Sequence, residues 1–165
     1  MCALGEISIA SVEPGQEALA AELVTKVFNQ FVAPKFQPEG REEFLRYATT
    51  QALAQRLADG NLMLAAWAGE RMLAFIELRE PAHIAMFFTT EDQQRQGMGR
   101  SLLGQALALW RERGAGFAEV TVNASPNAVE AYQRLGFQPT GGMETRNGIS
   151  FVPMALAIKP ESGHT

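Results

Sequence analysis

The feature that most constrains the fold of this chain is a strand, helix, strand unit in its middle third. Short-range alternation predicts a strand over His83 to Thr89 and another over Phe117 to Asn123. Between them, apolar residues recur at helical spacing from Gly97 to Glu112. Two strands joined through a helix normally lie parallel, because the crossover returns the chain to the same end of the sheet. We therefore expect one parallel strand pair.

The rest of the chain predicts helices and antiparallel strands around that unit. The other predicted elements are strands over Glu6 to Val12, Leu62 to Trp67 and Met72 to Leu78, helices over Leu19 to Phe31, Phe44 to Leu57 and Ser125 to Leu135, and a hairpin turning at Asn147 and Gly148. Ser125 is expected to cap its helix at the N-terminus, and Gly136 to end it. The predicted order is β, α, α, β, β, β, α, β, α, β, β. This is an α/β (α+β) arrangement in one domain over residues 1–165, with an ordered core over about 5–158 and a flexible tail at 159–165.

Charge and cysteine content narrow the class of protein. A net charge of −4 with a pI near 5.2 argues against nucleic acid as a partner and slightly favours a cationic small molecule. The chain has one cysteine, Cys2, so we expect no internal disulfide and no metal site. No apolar run reaches the roughly 20 residues of a membrane helix, and no export signal is visible. We expect a cytoplasmic protein that does not bind membranes.

A glycine-bearing turn precedes the central helix and suits an anion. Gly97 and Gly99 lie where exposed amides and the helix dipole attract phosphate, and they carry no side chain that would hold a pyrophosphate away. Arg95 and Arg100 add positive charge. A dinucleotide fingerprint would need glycine in place of Leu102, and a P-loop would need lysine after its second glycine, so neither nucleotide motif fits.

The same turn resembles the central signature of the GNAT superfamily of acyl-CoA-dependent N-acetyltransferases. That signature is Gln or Arg, two residues, Gly, one residue, then Gly or Ala, and Gln94 to Gly99 matches it. A second block, Asn123 to Tyr132 followed by Leu135-Gly136-Phe137, resembles the family's next motif. The resemblance implies a mostly antiparallel sheet of six or seven strands, a central parallel pair that splays at the cofactor site, and four surrounding helices.

The resemblance also implies acetyl-CoA as the acyl donor and no metal. Backbone groups of three strand residues would pair with the pantetheine arm, and the amides of the glycine turn would hold the pyrophosphate. The cofactor-binding residues implied in this way are Phe87, Phe88, Thr89, Gln94, Arg95, Gln96, Gly97, Met98, Gly99 and Arg100. Many family members have Asn where this chain has Ser125, so a further polar contact falls to Asn123, Ser125 or Asn127.

In such an enzyme an amine attacks the thioester directly in a ternary complex. Tyr132 is the predicted general acid for the departing thiolate, and His83 is the candidate general base, at a position where several members carry Glu. Glu77, Glu119 and water alone remain alternative bases, whereas Glu130 is expected in solvent. The backbone amide near Phe87 is expected to polarise the thioester carbonyl.

The acceptor is expected to be a small-molecule amine or an amine of a protein or peptide. Its site should lie under the two first helices and the final hairpin, near Phe31, Phe36, Phe44, Tyr47 and the segment Asn147 to Met154. A homodimer is the commonest assembly for such a domain. A noncatalytic acyl-CoA-binding sensor is the alternative function.

Overall fold

The computed structural model describes residues 6–94, 96–114 and 116–158. Predictions for Cys2, Arg95 and the tail at 159–165 lie outside these residues. The helices are α1 (Glu17–Val27), α2 (Pro38–Tyr47), α3 (Thr50–Ala58), α4 (Met98–Glu112) and α5 (Val129–Arg134). The strands are β1 (Ile7–Ser11), β2 (Leu62–Ala68), β3 (Arg71–Arg79), β4 (His83–Thr89), β5 (Glu119–Ala124), β6 (Gln138–Pro139), β7 (Glu144–Arg146) and β8 (Ile149–Ala157).

The sheet is mixed, and its single parallel pair confirms the expectation from the strand, helix, strand unit. Its order is β1-β2-β3-β4-β5-β8-β6, and β7 pairs with β8 at the start of that long strand. Every pairing is antiparallel except that of β4 with β5. The mixed α/β fold class is confirmed. The central helix α4 carries the crossover between the two parallel strands.

Helices cover both faces of the sheet and divide its core in two. One core lies between the sheet and the helices α4 and α5, and includes Leu102, Trp110 and Tyr132. The other lies between the sheet and the helices α1 and α3, and includes Val24 and Leu53. Because alternate strand residues point to opposite faces, each central strand contributes to both cores.

An extra residue in β4 redirects the side chains of that strand. Glu77 pairs with Met86 and Leu78 pairs with Ile84, so Ala85 is a bulge with no counterpart in β3. Ile84 therefore packs toward α4, whereas Met86, two residues later, packs in the core toward α1 and α3. The bulge changes which face each later residue of β4 presents.

Helix and strand counts differ from the prediction in two places. The second predicted helix is divided, because Thr49 stops α2 and its hydroxyl accepts a hydrogen bond of 3.1 Å from the Ala52 amide to begin α3. Residues 6–94, 96–114 and 116–158 thus contain five α-helices, where four were expected, and the two-residue β6 raises their strand count to eight. No described helix is long and apolar enough to cross a bilayer.

Two helix ends were predicted with unequal success. Gly136 has φ of +104°, the left-handed conformation expected of the residue that ends α5. Ser125 is an N-cap residue followed by Pro126, as predicted, but it begins a short 3-10 turn at Pro126–Ala128 that leads into α5, and its side chain makes no capping hydrogen bond. The Ser125 carbonyl instead accepts a hydrogen bond of 2.8 Å from the Ala128 amide.

Candidate functional site

The two parallel strands separate almost as soon as they meet. Their pairing is confined to His83 with Thr121 and Ile84 with Val122. Beyond those pairs β4 continues to Thr89 without a partner on the β5 side, while β5 stays paired with β8 along its whole length. We call this opening the splay. Its β4 edge offers the backbone groups of Phe87, Phe88 and Thr89 to an extended ligand, as an unpaired strand edge does.

The glycine turn lies at the end of the splay and begins α4. Gly97 is the N-cap residue with φ of +82°, a left-handed conformation that other residues adopt only with strain. A Cβ on Gly97 would meet no atom within 4 Å, whereas one on Gly99 would lie 3.5 Å from the Phe87 ring. The first amides of α4 have no intrahelical acceptor. The turn is therefore open, positively polarised and free of side chains where an anion would approach.

Two side chains hold this turn in place. The Gln94 side-chain amide donates a hydrogen bond of 3.0 Å to the Thr89 carbonyl, which closes the turn against the end of β4. Arg100 donates one of 2.7 Å to the Arg134 carbonyl at the end of α5. The guanidinium of Arg100 thus joins the start of α4 to the end of α5, close to the sequence-predicted anion site. Gln96 is exposed and Met98 is buried in the core toward α4.

Tyr132 lies on the α4 and α5 face of the sheet beside the splay. Its ring packs edge-on against Phe87, with centroids 6.1 Å apart, and against Phe137, at 5.3 Å. Only 8% of the residue is exposed. Burial raises the pKa of its hydroxyl, so the group keeps its proton well above neutral pH. Among the described residues, none hydrogen-bonds to that hydroxyl.

His83 lies at the paired end of β4, just before the splay begins. Its Nδ1 is 2.8 Å from the Thr121 hydroxyl on the neighbouring strand. Burial, with a smaller contribution from the Arg79 charge, lowers the pKa of His83 to about 4. His83 and Thr121 alternate with Ile84 and Val122, which pack toward α4, so the two polar side chains point to the opposite face. The structure therefore does not bring His83 and Tyr132 together.

The alternative carboxylates occupy quite different surroundings. Glu77 is fully buried and accepts hydrogen bonds from Arg56 at 2.7 and 3.0 Å and from Asn61 at 2.8 Å. Those bonds occupy both carboxylate oxygens in a structural ion pair. Glu119 is exposed at the start of β5, and Glu130 is exposed 3.5 Å from Arg134.

The three candidates for the polar cofactor contact lie at the end of β5 and in the turn that follows it. Asn123 is exposed and pairs through its backbone with Pro153, Ser125 is half-buried, and Asn127 is exposed in the 3-10 turn. All three lie on the β5 side of the splay, opposite the unpaired edge of β4. Which of them meets a ligand stays a prediction.

Aromatic residues gather on the other face of the splay. Phe28 stacks on Phe44 with centroids 4.1 Å apart and meets Phe36 edge-on at 5.5 Å, and Phe44 lies 5.9 Å from Phe88 of β4. Tyr47, by contrast, stacks under the Arg56 guanidinium at 3.6 Å. The helical spacing of these aromatics was visible in the sequence, but their meeting with β4 depends on the bulge at Ala85.

A cleft of about 630 Å³ lies away from this region. Its lining includes Asp59, Arg79, Glu80 and Arg113, at the ends of α3, β3 and α4 farthest from the glycine turn. None of the predicted site residues that the structure describes lines this cleft. Its one connection to them is Arg79, which pairs with His83 across β3 and β4. No group of three or more potential metal ligands occurs among the described residues.

Comparison by sequence identifies one family. Residues 32–158 match the family described as the acetyltransferase (GNAT) domain, and that range holds the splay, the glycine turn and Tyr132. No curated protein matches the chain.

Solved structures share the fold at low sequence identity. A GCN5-related N-acetyltransferase from Rhodopseudomonas palustris is 23% identical with a TM-score of 0.75, over 96% of this chain and 99% of that one. The PaiA N-acetyltransferase from Thermoplasma acidophilum, solved with coenzyme A, is 19% identical with a TM-score of 0.74, over 93% and 99%. The ribosomal-protein-S18-alanine N-acetyltransferase from Escherichia coli is 21% identical with a TM-score of 0.62, over 97% and 100%.

Proposed function

Because the chain belongs to the GNAT acetyltransferase family, we propose that it is a single cytoplasmic N-acetyltransferase domain that moves the acetyl group of acetyl-CoA to a primary amine. The observation that carries the proposal is the open glycine turn at the end of the splay. A left-handed Gly97, a side-chain-free Gly99 and the first amides of α4 together suit a pyrophosphate.

The residues present fit the acyl donor in two parts. The unpaired edge at Phe87, Phe88 and Thr89 would hold the pantetheine arm as an added strand, and the turn from Gln94 to Arg100 would hold the pyrophosphate. Acetyl-CoA would supply the activated acyl group as a thioester. A backbone amide near Phe87 would stabilise negative charge on the carbonyl oxygen during attack.

Tyr132 would donate a proton to the leaving thiolate. Burial keeps the hydroxyl protonated, and the Phe87 ring beside it places the hydroxyl-bearing side chain next to the strand that would bind the arm. The raised pKa makes the hydroxyl a weaker acid than a thiol, whose pKa is about 8.5, so Tyr132 would first stabilise the departing sulfur as a hydrogen-bond donor and pass its proton on as the C–S bond breaks.

His83 is proposed as the base that accepts a proton from the attacking amine. Its lowered pKa keeps the imidazole neutral at physiological pH, but it also makes the ring a weak acceptor. It lies about four residues along β4 from Phe87, roughly 13 Å at the usual strand rise. Proton transfer to His83 would therefore pass through water, on the face of the sheet opposite Tyr132.

Calorimetric titration with acetyl-CoA tests the cofactor site. Gly97→Glu places a carboxylate where the pyrophosphate would lie, and Gly114→Glu is a matched control. Gly114 follows the other end of α4, has φ of +85°, and a Cβ there also meets open space, so both changes carry similar backbone strain. We expect micromolar binding in the wild type and in Gly114→Glu, and none in Gly97→Glu.

The outcomes separate the main proposal from its alternative. Folded wild-type protein that binds no acetyl-CoA would contradict the site. Binding lost in Gly97→Glu alone, without acetylation of any small amine or peptide amine, would instead favour a noncatalytic acyl-CoA sensor. Both kinds of acceptor occur among the structural neighbours, which include the S18-alanine enzyme and an aminoglycoside 6′-N-acetyltransferase.

A further inference from the structure

Two glycines bring the turn of the β7–β8 hairpin into close contact with α2. A Cβ built on Gly40 in α2 would overlap the carbonyl of Gly148, and one built on Gly148 would lie 2.7 Å from the Gly40 nitrogen. The Gln37 amide donates a hydrogen bond of 2.9 Å to the same Gly148 carbonyl. We call α2 and the β7–β8 hairpin, joined at this contact, the roof. Only glycine at both positions permits the approach.

The segment before the roof crosses the splay. A π-helical turn, Phe28–Val32, follows α1 directly. On one side Gln30 donates a hydrogen bond of 3.5 Å to Glu91, just after β4, and on the other the turn lies against Pro126–Ala128, just after β5. A π-helical turn is rare and often occurs at functional sites. The turn therefore spans the mouth of the splay from one diverging strand to the other.

The surface of the roof and of the π-helical turn that faces the splay is aromatic. Phe28 and Phe36 are buried, whereas Phe31, Phe44 and Phe88 remain partly exposed, and Ile149 of the hairpin packs against the same cluster. Phe88 belongs to the unpaired edge of β4 and points away from Phe87. The exposed aromatic faces thus line the splay on the side opposite Tyr132.

The position of these aromatic side chains on one face of the splay determines which residues an acceptor amine would contact. The α4 and α5 side of the splay is closed by the packed rings of Phe87, Tyr132 and Phe137. An acceptor must approach the thioester from the other face, between the roof and Phe88. A ligand that covers the exposed apolar surface there removes it from water, which makes binding more favourable.

Building on the proposed acetyltransferase function, we propose that the acceptor is an amine carrying an aromatic or large apolar group, which binds against Phe31, Phe44 and Phe88. The contact between Gly40 and Gly148 acts as a positioning device, because it fixes the distance between α2 and the hairpin and so the width of the aromatic site. The acceptor is then selected by its apolar substituent.

A pair of amines that differ by one phenyl group tests the substrate class. We would measure release of free thiol from acetyl-CoA with 2-phenylethylamine and with ethylamine, and include spermidine as a polycation. We expect kcat/KM at least about 30-fold higher for 2-phenylethylamine than for either of the others, since a buried phenyl ring contributes that much to discrimination. Equal or better turnover of spermidine or ethylamine would overturn the inference while leaving the acetyltransferase function intact.

Variants of the aromatic site connect the preference to its residues. Phe31→Ser should raise KM for 2-phenylethylamine about tenfold, and Phe31→Leu should largely restore it, with the Kd of acetyl-CoA unchanged in both. Leu19→Ser is the control, because it removes another partly exposed apolar side chain, from α1. An unchanged KM in folded Phe31→Ser would overturn the assignment.

Gly40→Ala tests the positioning role. It should raise the acceptor KM by at least about fivefold with little change in acetyl-CoA binding, whereas Gly104→Ala in α4, where a Cβ meets open space, should change neither. A Gly40→Ala protein that is folded and keeps the wild-type KM would refute the positioning role. If no amine of any kind is acetylated by protein that binds acetyl-CoA, the proposed function fails, and this inference fails with it.

Discussion

Removing the hydroxyl of Tyr132 separates its chemical role from its packing role. In Tyr132→Phe the ring remains between Phe87 and Phe137, so the edge-on contacts at 6.1 and 5.3 Å are kept. No described residue hydrogen-bonds to the hydroxyl, so its removal breaks no hydrogen bond within the described part of the chain. We therefore expect the free energy of unfolding to change by less than about 1 kcal/mol.

The effect on catalysis should be far larger than the effect on stability. A positioned general acid contributes about 10² to 10⁴ to the rate, so kcat should fall by that factor, which corresponds to about 2.7 to 5.5 kcal/mol in activation free energy. The KM for the amine and the Kd for acetyl-CoA should change little, because the ring surface that faces the splay is the same. Truncation to Ala, by contrast, should cost about 3 to 5 kcal/mol of stability through lost packing.

Steady-state kinetics and chemical denaturation on the same preparations give the answer. Thiol release measures kcat and KM for the wild type and Tyr132→Phe, and urea unfolding measures their stabilities. Because burial raises the pKa of the hydroxyl, the wild-type kcat should show no loss from Tyr132 deprotonation up to about pH 9. A Tyr132→Phe enzyme whose kcat stays within about threefold of the wild type would refute the general-acid role.

Three further predictions concern stability and pH. Glu77→Gln breaks the ion pair between the fully buried Glu77 and Arg56, whose side chain is 15% exposed, and should cost about 3 kcal/mol in urea unfolding, whereas a loss under about 1 kcal/mol would mean that the pair contributes little. Because the pKa of His83 falls from about 6.5 unfolded to about 4 folded, the stability gained from its neutral ring should be lost as pH falls through that window, and thermal unfolding of His83→Asn should lack that part of the decline. For the same reason, a fall in kcat/KM below about pH 6.5 that disappears in His83→Asn would contradict the lowered pKa of the buried His83. Thr49→Ala removes the cap of α3 and should cost about 1 kcal/mol, and an unchanged urea midpoint would show the cap to be dispensable.

Local signals in the sequence predicted the elements well where periodicity and turn chemistry agree. The strand, helix, strand unit required a parallel pair, and the structure has one at β4 and β5. Asn147, with φ of +51°, and Gly148, with φ of +80°, form the turn expected of that dipeptide between β7 and β8. Each of these features follows from one continuous stretch of chain, so the sequence alone sufficed.

Features that depend on distant contacts were not predicted. The close contact of Gly40 with Gly148 joins residues more than a hundred positions apart, and nothing near Gly40 in the sequence indicates that its missing side chain matters. Glu77 was considered as a base because it alternates on a strand, but its ion pair depends on Arg56 arriving from α3. The roles assigned to His83 and Tyr132 stay predictions, because they concern chemistry with a bound substrate.

The bulge at Ala85 explains how one strand can serve two sites. A strand of strict alternation would direct Ile84, Met86 and Phe88 to one face, and the α4 core would then hold all three. The extra residue moves Met86 and Phe88 to the opposite face and leaves Phe87 toward α4 beside Tyr132. Consecutive residues of one strand edge therefore face the proposed acid on one side and the aromatic site on the other. Because β5 does not pair with β4 beyond Ile84, the backbone of β4 at Phe87 and Phe88 is free to bind the acyl donor. The acceptor would then reach the thioester from the aromatic face of the same strand.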